Sequence, residues 1–181
     1  MTPENEMQPK NPLRYHETLD AFKDTVSRHY SEKDAYVFRT VMSDPPTDRD
    51  LTPRKFRDLE PADVQELLIE YTEEEVAELS EKEILEEVGH NALSVNSTPE
   101  KCRKEAIRAY RGVKKKYSSE IADDFKKSRG PFIAKFHITP ESGVISDFNK
   151  NGHANYLVRE GVTITDVWVS DYPLEEIDYD G

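Results

Sequence analysis

From Leu13 to His29 the apolar positions Tyr15, Leu19, Phe22 and Val26 fall three or four residues apart, which predicts one stripe of an amphipathic helix. The period then changes. Ala35 to Met42 is a run of aromatic and β-branched residues between two polar segments, and it predicts a buried strand interrupted by Arg39. Pro45 to Pro53 has no periodicity and predicts a surface loop. Three short helices are expected next, from the stripe Val64, Leu67, Leu68 and Tyr71 and from the capping-box spacings Thr72/Glu75 and Ser80/Glu83, with Gly89 as the stop. Asn91 to Asn96 predicts a second strand. Ser97-Thr98-Pro99-Glu100 then opens a helix, with Ser97 as the expected cap, that gathers Cys102, Ala106, Ala109, Tyr110, Val113 and Tyr117 on one side. Ser118 to Lys127 predicts a further short helix.

After Gly130-Pro131 the pattern alternates. Phe132 to Ile138 and Val144 to Phe148 predict strands, and Gly152 to Trp168 predicts two more, joined through Arg159-Glu160-Gly161. Pro173 closes the last of them. Helices early and strands late predict an α+β fold with a mainly antiparallel sheet. A single domain over 13–172 is expected, preceded by a proline-rich arm at 1–12 and followed by an acidic tail at 173–181.

Charge refines this picture. The net charge of −12 repels nucleic-acid phosphates and anionic lipid, so a basic or neutral protein surface is the expected partner. The charge is also uneven. Asp58 to Glu87 holds thirteen acidic residues against one lysine, whereas Lys101 to Lys116 holds eight basic residues against one glutamate. That basic helix leaves nucleic acid open, although a solvated helix face is the commoner reason for such a run. The single cysteine, Cys102, excludes an intrachain disulfide, and no Cys/His cluster suggests a metal site. Without an apolar run of membrane-spanning length or a signal-peptide core in Met1 to Pro12, a cytoplasmic protein is expected.

Four features can carry chemistry. Arg39 in an apolar strand needs a partner, and its planar fork suits phosphate or carboxylate, including a neighbouring acidic side chain. Ser94 and Asn96 alternate on the second strand and can position a ligand by hydrogen bonds, or serve the following turn. His153 and Asn155 alternate on a later strand and point to one face. There a histidine can act as a general base and an asparagine can orient a ligand, or both can be structural. The fourth feature is the basic helix.

In order, these features resemble the ADP-ribosyltransferase family. The resemblance runs from about Ala35 to Val169. It rests on an arginine in Tyr36-Val37-Phe38-Arg39-Thr40-Val41 and on a serine-bearing strand leading to a helix in Leu93-Ser94-Val95-Asn96-Ser97-Thr98. The last part is His153-Ala154-Asn155 followed by Tyr156-Leu157-Val158, a Gly turn and Val162 to Val167, where the family has Glu-x-Glu and an apolar triplet. The resemblance implies a split sheet of ADP-ribosyltransferase type with N-terminal and intervening helices, and NAD as substrate in a cleft between strands. It also implies Arg39 at the phosphates, Ser94 supporting the ribose and the arginine, Asn96 among the NAD-binding residues, and His153 and Asn155 at the nicotinamide ribose. Transfer of ADP-ribose to a macromolecular acceptor, in the manner of a toxin or effector, would follow. At Asn155 an amide replaces the family's glutamate, keeping a hydrogen bond and losing the charge. The alternative expectation is therefore a non-catalytic member of the fold, acting as an acidic module of immunity, regulatory or inhibitor type on a basic partner.

Overall fold

The computed structural model of the chain describes residues 10–57, 59–68 and 70–181. Met1 to Pro9 of the expected arm and Asp58 of the acidic stretch lie outside them. The N-terminal helix forms in three pieces, α1 (His16–Leu19), a 3-10 turn (Asp20–Phe22) and α2 (Lys23–His29), and buries Leu19 and Phe22. Next come β1 (Tyr30–Ser31) and β2 (Ala35–Val41). The expected surface loop instead contains a 3-10 turn (Asp48–Leu51), closed by a capping box between Thr47 and Asp50, and Asp50 and Leu51 are fully buried. A T-x-x-D spacing inside a proline-rich segment supplies the local bonds that a count of prolines does not reveal.

Three short helices follow, α3 (Pro61–Leu67), which ends before Leu68 and Tyr71 of the expected stripe, α4 (Glu73–Glu78) and α5 (Glu81–His90), the last two with the Thr72/Glu75 and Ser80/Glu83 capping boxes formed. Gly89 does not stop α5, which continues to His90 and is capped at Asn91. β3 (Leu93–Asn96) leads into α6 (Pro99–Lys116), whose capping side chain is Thr98, one residue later than expected, accepting from the Lys101 amide at 3.2 Å. α7 (Ser119–Arg129), β4 (Phe132–Ile138), β5 (Gly143–Ser146) and β6 (His153–Val158) complete the middle of the chain.

The final strand expected at Val162 to Val167 is instead a helical turn, α8 (Ile164–Val167), fixed by a capping box in which the Asp166 carboxylate accepts from the Thr163 amide at 2.6 Å. Alternation in Val-Thr-Ile-Thr-Asp-Val was overridden by that cap. The acidic C-terminal segment is packed. It forms β7 (Glu175–Glu176), buries Ile177 and Tyr179, and donates the Tyr179 hydroxyl to the Gly130 carbonyl at 2.8 Å.

All strand pairs are antiparallel, in a seven-stranded open sheet of order β1-β5-β6-β3-β2-β4-β7. The fold is thus α+β. One face of the sheet, with Val37, Val41, Val95, Phe136 and Tyr156, packs on Leu51 and on Ile164 and Val167 of α8. The other face has two covers. α6 and α7, with Ile177 and Tyr179, lie over its β2/β4 side, and α1, α2 and α5 lie over its β5/β6 side.

Candidate functional site

β2 pairs with β4 from Ala35 to Val41 and β3 pairs with β6 from Leu93 to Asn96, but β2 and β3 meet in register only at Phe38 and Asn96. Beyond that pair the two halves of the sheet part. Arg39 fills the seam. Its Nε donates to the Asp50 carbonyl at 3.0 Å and its Nη1 to the Ser94 carbonyl at 2.9 Å, so the guanidinium stands in for absent ladder bonds. Arg39 is 5% exposed. Burial, reinforced by the nearby Arg57 charge and opposed by Asp50, pulls its pKa down to about 9. The Asp50 carboxylate accepts from the amides of Met42 at 2.9 Å and Thr47 at 3.1 Å, which holds the 3-10 turn against the end of β2.

On the opposite face the register sets Asn96 beside His153 and Ser94 beside Asn155. Ser94 Oγ and His153 Nε2 lie 2.6 Å apart. His153 is positioned from the loop before it, where Asn149 Oδ1 accepts from the His153 amide at 3.1 Å and Gly152 adopts a φ of 76°. That left-handed geometry suits glycine. His153 lines a groove of about 440 Å³ with Asn149, Asn151 and the first half of α6, where Lys101, Lys104 and Arg108 outnumber Glu105. The groove is cationic within an acidic molecule.

Asn155 takes another direction. It lines a separate recess with Arg28, His29 and Tyr30, its backbone amide donates to Ser146 Oγ at 3.0 Å, and its Nδ2 approaches Gly89 of α5. Burial pushes the Tyr30 pKa up, with the polar Asn155 side chain beside it acting the other way. His153 and Asn155 therefore share a sheet face without sharing a pocket, because α5 crosses one and α6 starts beside the other.

The structure thus brings together Ser94 and His153 with Asn96 on the same face, sets Arg39 at the seam on the Ser94 carbonyl in a pocket that His153 does not line, and turns Asn155 away. Sequence reasoning missed a second cluster. Arg54, Arg57 and Arg129 converge with Arg39, Asn96 and the buried Cys102 around a pocket of about 70 Å³. The signal available was local, since Arg49, Arg54, Lys55 and Arg57 form a basic patch just before the acidic stretch. Burial raises the Cys102 thiol to about 12, so this cysteine is an inert packing group. Among the described residues no group of three His, Cys, Asp or Glu side chains is placed to hold a metal ion, and no helix is long and apolar enough to cross a membrane. Comparison with models of protein families, with curated proteins and with solved structures gives no match.

Proposed function

We propose that the chain is an ADP-ribosyltransferase-like protein that binds NAD along the seam between β2 and β3, with its diphosphate toward Arg39 and the nicotinamide ribose toward Ser94 and His153. The observation that carries this reading is a buried arginine at the point where the sheet divides, next to a Ser94–His153 hydrogen bond of 2.6 Å. A guanidinium makes charge-assisted bonds to a diphosphate, and the adjoining cationic groove suits the same dianion. In the transfer, the bond between C1′ of the ribose and the nicotinamide nitrogen breaks and nicotinamide leaves with the electron pair. An acceptor nucleophile then forms the new bond to C1′, and its proton passes to His153. Ser94 orients that imidazole.

One observation favours a second reading, in which NAD is held without transfer and the acidic helices α4 and α5 dock a basic protein. Asn155, at the position of the family's glutamate, lines a recess outside the groove and carries no charge. Preorganised charge of that kind is commonly worth about 3 to 4 kcal/mol of barrier.

Titration of NAD into the wild type, Arg39→Lys and His153→Ala, followed by calorimetry and by chromatographic detection of nicotinamide, tests both readings. The transferase reading expects binding weakened about tenfold or more by Arg39→Lys, and nicotinamide release abolished by His153→Ala. Binding without release supports the module. Absence of NAD binding by the folded wild type overturns both.

A further inference from the structure

We propose that Arg54, Arg57 and Arg129 hold a phosphate-class oxyanion in the small pocket at the end of α7, with Arg39 as its floor. Four guanidinium groups line this pocket. Among the described residues two carboxylates approach them. Asp50 is committed to the Met42 and Thr47 amides, and Glu105 pairs with Arg129 at 3.2 Å. A surplus of positive charge is therefore held around two buried guanidinium groups, those of Arg39 and Arg57, and an anion is the counter-charge that would balance it.

The donors are arranged for such an ion. Arg57 is 9% exposed, and its Nε has no hydrogen-bond partner among the described residues, nor has Nε of Arg129. An unpartnered buried donor is costly unless something occupies the site. The other contacts explain how the forks are aimed. Arg57 Nη1 donates to the Ser128 carbonyl at 2.7 Å, Arg54 Nη2 donates to Ser128 Oγ at 3.3 Å, and Arg54 and Arg129 both stack on Phe125. Tying the loop to α7 in this way needs donors, but it does not need three like charges around one void. Burial lowers the pKa of both Arg54 and Arg57, and the charge of Arg129 adds to that. Size narrows the ligand. A volume of about 70 Å³ is more than twice the roughly 30 Å³ share of one water in the liquid, room for a tetrahedral oxyanion. Planar forks select such an oxyanion by bidentate bonding.

The site shares Arg39 with the proposed diphosphate position, whereas Arg54, Arg57 and Arg129 have no part in that reading, so it is tested with inorganic phosphate and with variants of Arg54 and Arg57. Phosphorus NMR and thermal unfolding of the wild type in phosphate against chloride at matched ionic strength should show saturable binding and a raised Tm. Arg57→Gln should weaken the phosphate Kd by about tenfold or more. Arg54→Gln, at an exposed position, carries the same test should Arg57→Gln fail to fold, and circular dichroism checks both variants. Competition between NAD and phosphate would assign the oxyanion to a nucleotide, and simultaneous binding would assign it to the free ion; either result keeps the site. The proposal is overturned if phosphate binds no better than chloride, or if folded variants bind it as the wild type does.

Discussion

Gly152 shows how much one backbone angle contributes to the groove. Its φ of 76° turns the chain into β6, and its carbonyl accepts from the Ser97 amide at 2.8 Å, joining the loop to the start of α6. A Cβ there would fall 2.3 Å from Lys101 Cδ and 2.6 Å from Ser97 Oγ. Gly152→Ala should lower stability by about 1 to 2 kcal/mol from the left-handed backbone alone, read by urea unfolding. It should also swing Lys101 out of the groove, visible as a changed side-chain NMR signal. At this scale the sequence was informative where chemistry is intrinsic to a residue. A guanidinium in an aromatic strand must find oxygen acceptors, and Arg39 finds two backbone carbonyls. Alternation also assigned His153 and Asn155 to one face. What it lacked was the identity of the helix above each, which depends on α5 and α6 packing from distant parts of the chain.

Elements closed by bonds between near neighbours were the legible ones. The Thr72/Glu75 and Ser80/Glu83 boxes are local and form as their spacing implies. α8 was misread as a strand for the converse reason, since the alternating apolar residues were weighed above Thr163 and Asp166. Thr163→Ala removes that cap and should lower stability by about 1 kcal/mol in denaturant unfolding, with the folded topology retained. The effect should reach beyond the turn. Ile164 and Val167 of α8 are buried in the sheet's main core, and the Ile164 amide donates to Asp48 Oδ1 at 2.6 Å, so α8 also braces the 3-10 turn that carries Asp50. The seam could not be read at all. A strand's own sequence does not state which of its two edges will be paired, and β2 gives one edge wholly to β4.

Across the whole molecule the basic helix is balanced by the C-terminal segment more than by the acidic helices. Arg103 pairs with Glu175, Lys114 with Asp180 at 3.2 Å, and Arg111 donates to the Gly181 carbonyl at 2.7 Å. Lys126, Tyr110 and Lys114, all hydrogen-bonded to Asp180, hold its carboxyl well below the usual aspartate range. Because the folded-state pKa is the lower one, the unfolded chain takes up the proton first as pH falls. The Asp180 contribution is complete above the usual value of about 3.9 and is lost as pH falls through the folded value. The Tm difference between wild type and Asp180→Asn should therefore be present at neutral pH and close in acid, and added salt should shrink it, since these groups are exposed. The seam gives the sheet a mechanical character of its own. Elsewhere, prising strands apart means breaking a ladder, but between β2 and β3 the load falls on one registered pair and one side chain. Those halves are coupled through a guanidinium, so a ligand that bonds that guanidinium competes directly with the fastening that sets the gap between them.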